Sequence, residues 1–115
     1  MEENKKFIPV CEPYLAGNEL KYVTDAVSTG WISGAGDYVK KFEEGFAKFC
    51  GVKHAIATTN GTTAIHLALI ALGIKENDEI IMPDFTMIGS AFPVCYTGAK
   101  PVFVDAEPET WNMDS

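Results

Sequence analysis

The chain contains no arginine. All nine of its basic residues are lysines, set against sixteen acidic residues, for a formal net charge of −7. It therefore lacks the planar guanidinium forks that grip phosphates in pairs, and its acidic surface repels polyanions. The expectation on this ground is no nucleic acid and no anionic membrane as partner. Any phosphate bound here is held mainly by backbone N–H groups and hydroxyls. Cysteine is scarce and badly spaced for chemistry. Cys11, Cys50 and Cys95 are odd in number and contain no C-x-x-C. That is neither a disulfide framework nor a zinc pattern, and the expectation is reduced thiols in the cytoplasm. Histidine is limited to His54 and His66. His66 falls inside an apolar helical stretch, where a packed side chain is the reading over a metal ligand, so no metal site is expected. No apolar run is long enough to span a membrane, and Met1-Glu2-Glu3-Asn4-Lys5-Lys6 lacks the apolar core of a secretory signal. There is no internal repeat and no low-complexity linker.

What is present is ordinary globular material, 47% hydrophobic and 22% charged over 115 residues, enough for one domain at most. Residues 1–12 read as an extended, partly mobile arm, with Pro9 and Pro13 discouraging helix. Asn18 is placed to cap a helix over Glu19–Ser28, ended by Gly30. A Gly-rich loop, Trp31-Ile32-Ser33-Gly34-Ala35-Gly36, follows. Asp37 is placed to cap a second helix in which Val39, Phe42, Phe46 and Phe49 share one face, ended by Gly51. Beyond it the pattern alternates. Strands are expected at His54–Thr58, Glu79–Met82 and Pro101–Val104. Helices are expected at Thr62–Leu72 and Met87–Tyr96, with Pro93 kinking the second. Apolar strands joined by helices imply a mostly parallel sheet with helices on both faces and right-handed crossovers.

The residues most suggestive of chemistry are Thr58-Thr59-Asn60-Gly61-Thr62-Thr63, between a β-branched run and an apolar helix. The first N–H groups of a helix have no intrahelical partner and lie at its positive end. Gly61 permits close approach of a ligand, and the hydroxyls of Thr62 and Thr63 add donors, so a phosphate suits the turn. The alternative is that Asn60 or Thr62 simply caps the helix.

Four linked segments resemble the DegT–StrS family of sugar-nucleotide aminotransferases. They are Gly30–Gly34 with Tyr38–Glu43, then Asn60–Leu69, then Asp78–Ile88, then Gly98–Asp105, in the family's order and spacing. The resemblance implies an α/β architecture, the N-terminal part of the type I pyridoxal-phosphate-dependent aminotransferase fold. Residues 1–36 would be an arm, first helix and loop, and 37–115 an incomplete beginning of the cofactor-binding large domain. It implies pyridoxal 5'-phosphate as cofactor, with Gly61 and Thr62 at its phosphate and Met87 against its ring. Met87 stands where the family usually has an aromatic residue; a soft, polarizable thioether can lie against a ring, and a core filler is the competing role. Trp31 and Ser33 match the loop that the family places at the substrate, with a core or interface aromatic as the alternative for Trp31. Where the family tends to have Asn, Phe92-Pro93 stand instead.

The implied reaction moves an amino group from glutamate to a keto-sugar nucleotide, in a homodimer that builds each site from two chains. Pro83–Ile88 is similar in wording to the perosamine-type synthases, which aminate a 4-keto-6-deoxy sugar nucleotide. The chemistry needs a lysine that bonds to the cofactor and shuttles protons, and a carboxylate for the pyridinium nitrogen. None of the nine lysines has the family's context for that role, and Asp105 matches a strand-end Asp and not the pyridinium partner. Three strands with one side uncovered would also leave a bare edge. The expectation is therefore a fragment, inactive by itself. A dehydratase of the same family, or a noncatalytic α/β module for a phosphorylated ligand, are the alternatives.

Overall fold

A computed structural model describes residues 7–114. The first half of the expected arm, and Ser115, lie outside the described residues. The chain divides into two compact units, one ending at Lys53 and the other beginning at His54. The second helix thus groups with the first. Among the described residues no helix is long and apolar enough to cross a membrane.

The first unit holds α1 (Glu19–Thr29) and α2 (Asp37–Cys50). Both end as expected, on Gly30 (φ 75°) and Gly51 (φ 68°) in the left-handed conformation that glycine adopts without strain. The starts differ from expectation. Asn18 makes no side-chain capping bond; the Glu19 carboxylate instead accepts from the Gly17 N–H at 2.8 Å. Asp37 is the first residue of α2, and Gly36 is its N-cap. Gly36 suits that position, because a Cβ would sit 3.2 Å from the carbonyl oxygens of both Trp31 and Ser33, a tight contact. The helices are tied by Tyr38, whose hydroxyl donates to Asp25 at 2.8 Å while its ring meets Tyr22 at 5.4 Å. The apolar face of α2 forms as expected, with Phe42 and Phe46 stacked at 5.6 Å. Of the α2 residues only Ala47 is buried.

The second unit runs α3 (Gly61–Ala71), β1 (Glu79–Pro83), a 3₁₀ turn (Ile88–Ser90), α4 (Ala91–Tyr96) and β2 (Lys100–Val104). The strands pair in parallel, Glu79 opposite Lys100 through Pro83 opposite Val104. The intervening helix supplies the crossover that parallel pairing demands. The core is small: Met82, Ala91, Val94 and Ala99, with Leu69, Ile74 and Ile80 packed against it. Ile80 and Met82 share a face by strand alternation and carry this core, while Ile81, on the other face, is 64% exposed.

Two expectations need correction. The segment 54–58 is not a strand of the sheet, which has two strands among the described residues. Its composition suits a strand, but strand pairing is decided by residues distant in sequence, and the described sheet is the β1–β2 pair. The single helix expected over Met87–Tyr96 is a 3₁₀ turn followed by a short α-helix. Pro93 is responsible in part. It cannot donate a backbone bond and so must sit within the first turn of a helix, which is where α4 places it. His66 is half-buried and meets the Tyr96 ring edge-on at 5.5 Å, a packing role as expected.

Candidate cofactor-phosphate site

The turn before α3 is built from its own side chains. Asn60 is the N-cap: its Oδ1 accepts from the Thr63 N–H at 2.9 Å, and the Thr63 hydroxyl accepts from the Asn60 N–H at 3.3 Å. This reciprocal capping box satisfies the helix start without Thr62. The Thr58 hydroxyl donates to the Asn60 carbonyl at 3.0 Å and steadies the approach. The N–H groups of Gly61 and Thr62 and the Thr62 hydroxyl take no part in that box. A Cβ added to Gly61 would meet nothing within 4 Å, so the backbone is open to a ligand.

On its other flank Thr62 meets the 3₁₀ turn. Its Oγ1 lies 2.8 Å from where a Cβ on Gly89 would stand, so the turn packs this closely because residue 89 has no side chain. Thr86 and Ser90 bridge that turn through their hydroxyls at 3.0 Å, and the Ser90 N–H donates to the Met87 carbonyl at 2.9 Å. Met87 is 79% exposed and therefore available to a ligand.

Gly61, Thr62 and Met87 thus belong to one unit, with the segment bearing Met87 seated against Thr62 through Gly89. Trp31 and Ser33 belong to the other unit. There the Trp31 ring is 61% exposed and the Ser33 carbonyl accepts from the Gly36 N–H at 3.0 Å. Gly89 and Ser90 were missed from the sequence. The available signal was a Gly inside an apparently helical run, which usually has a packing reason.

At the carboxyl ends of β1 and β2 lies a separate concavity of about 420 Å³, lined by Asp84, Phe85, Asp105, Glu107 and Trp111 among others. Its Phe85 and Trp111 rings are 5.1 Å apart. Three carboxylates make it hostile to a phosphate, whereas the turn at 58–63 carries no carboxylate. The Glu107 carboxyl is held below its usual range chiefly by the Thr110 hydroxyl, then by the Glu109 amide. It organises the 107–112 turn and is committed there.

Two N–H groups and a hydroxyl beside an unobstructed glycine at a helix N-terminus fit a phosphate monoester. Residues 13–115 match the DegT/DnrJ/EryC1/StrS aminotransferase family. The chain belongs to that family. It is 54% identical over 108 residues to a GDP-perosamine synthase of Caulobacter vibrioides, covering 94% of this chain and 29% of the relative. It is 50% identical to the GDP-perosamine synthase of Escherichia coli O157:H7, covering 94% and 30%. Among solved structures, an E. coli GDP-4-keto-6-deoxy-D-mannose-3-dehydratase with bound hydrated pyridoxal phosphate superposes with a TM-score of 0.78 at 30% identity. That match covers 92% of this chain and 28% of the other. The chain spans about 29% of the length of the synthase it matches at 54% identity. The family's α/β fold, with a parallel sheet and helices, is the fold described above.

Proposed function

We propose that this chain is the N-terminal part of an aminotransferase that moves an amino group from glutamate to a keto-sugar nucleotide, with pyridoxal 5'-phosphate as cofactor. The observation that carries the reading is the 54% identity to a GDP-perosamine synthase over nearly the whole chain. A GDP-linked 4-keto-6-deoxy sugar is the substrate this favours, in amino-sugar biosynthesis for lipopolysaccharide or O-antigen. The likeness to a 3-dehydratase supports dehydration as a second reading, at the lower identity of 30%.

In this reading Gly61 and Thr62 hold the cofactor phosphate through two N–H groups and one hydroxyl, aided by the positive end of α3. Met87 lies against the ring. Trp31 and Ser33 serve the substrate, and the working unit is a cytoplasmic homodimer. Residues 37–115 open the cofactor-binding domain. The cofactor, when bound, supplies the electron sink that lets an amino group pass between donor and acceptor. This chain's part is to anchor and orient; the covalent lysine and the pyridinium carboxylate come from polypeptide beyond it.

The test is to express the coding frame continued past Ser115 beside the 115-residue chain. With glutamate and GDP-4-keto-6-deoxymannose, the continued protein yields 2-oxoglutarate and an aminated sugar nucleotide, and the 115-residue chain yields neither. A deoxygenated sugar without net amination would overturn transamination, and turnover by the short chain would overturn the division of labour.

A further inference from the structure

Met87 is 79% exposed, so almost nothing packed around its side chain fixes where that side chain points. Its position is set by its backbone, which is extended at φ −67° and ψ 138° just ahead of the 3₁₀ turn. Two features hold that backbone. Ser90 reaches back twice, its N–H to the Met87 carbonyl at 2.9 Å and its hydroxyl to that of Thr86 at 3.0 Å. Thr86 and Ser90 thereby bracket Met87 from both sides. A Cβ on Gly89, between them, would stand 2.8 Å from the Thr62 hydroxyl oxygen, so a side chain there would force the loop or the Thr62 side chain to shift.

We infer that Ser90 is a positioning residue for the cofactor ring: it closes the 86–90 loop, holds Met87 at the ring, and through the neighbouring Gly89 keeps that loop in register with the phosphate-holding Thr62. The inference rests on the proposed cofactor role of Thr62 and Met87. Ser90 itself touches neither phosphate nor ring. Its effect passes through the Thr86 hydroxyl, which loses its partner when the Ser90 hydroxyl is removed. The backbone bond from Ser90 to Met87 survives that change, so the loop loosens without unfolding.

The experiment uses the complete protein carrying Ser90→Ala, Ser90→Thr or Met87→Ala. It measures the cofactor dissociation constant and absorbance, and amide hydrogen exchange across 86–90 in the cofactor-free form. Ser90→Ala is expected to weaken cofactor binding about threefold to tenfold, the scale of one hydrogen bond. It should also speed exchange in the loop and shift the absorbance in the direction of Met87→Ala. Ser90→Thr keeps the hydroxyl and restores all three. If Met87→Ala alters the spectrum and affinity while Ser90→Ala changes neither, the inference is overturned and the ring contact stands. If Met87→Ala changes neither, the ring contact falls and the inference falls with it.

Discussion

Asn60 and Thr63 exchange the two hydrogen bonds of a capping box across the first turn of α3, and Thr62, the residue before Thr63, takes no part in it. Capping and ligand holding, which one threonine-rich turn could have merged, are assigned to different side chains. That separation makes the two roles independently measurable.

Asn60→Ala should destabilise the fold by about 1 kcal/mol, the usual cost of a lost cap. Thr62→Val should leave the cofactor-free stability nearly unchanged and weaken cofactor binding by about 1.5–3 kcal/mol, the range for a bond to a charged acceptor. Thr29, whose hydroxyl donates to the Asp25 carbonyl within α1, is the control. Thermal melts of the cofactor-free protein and equilibrium dialysis against pyridoxal phosphate check both. Equal cofactor retention by Thr62→Val and Thr29→Val would reduce Thr62 to a surface threonine.

Acid should open the turn that follows β2. The Glu107 carboxyl is held low by the Thr110 hydroxyl and by amides of its own turn. A depressed folded value means its contribution is in full force above the ordinary carboxylate value, ~4.3. It is lost as pH falls through the lower, folded value. Trp111, in that turn, reports the change, with Trp31→Phe to silence the other indole. Its emission should hold steady to pH values below the ordinary carboxylate range and then shift, and Glu107→Gln should abolish the transition. A Glu107 carboxyl titrating by NMR at or above the ordinary value contradicts this.

The loop between α1 and α2 should mark a subunit boundary in the complete protein. Trp31 and Ile32 are 61% and 77% exposed, an apolar pair presented on a Gly-rich turn. Light scattering should give a dimer. Trp31→Ala should raise the dimer dissociation constant roughly 30-fold, matching the ~2 kcal/mol of a buried aromatic anchor. A fully active monomer at assay concentration would remove the shared-site picture.

Much of the architecture could be read from residue order, because it rests on local physics. Gly30 and Gly51 end their helices where a left-handed residue is needed, and the period of Val39, Phe42, Phe46 and Phe49 specifies the face of α2. Asn60-Gly61-Thr62-Thr63 announces a helix start with spare donors, since capping is decided within four residues. Tertiary structure decided what depends on residues far apart. Whether 54–58 joined the sheet depended on long-range pairing that no periodicity within that segment could reveal. Whether 87–96 was one helix turned on Pro93 and on the packing of the turn before it. The contact of Gly89 with Thr62 spans 27 positions in the chain and exists because β1 leads the chain back past the start of α3, where a missing Cβ leaves room for a hydroxyl.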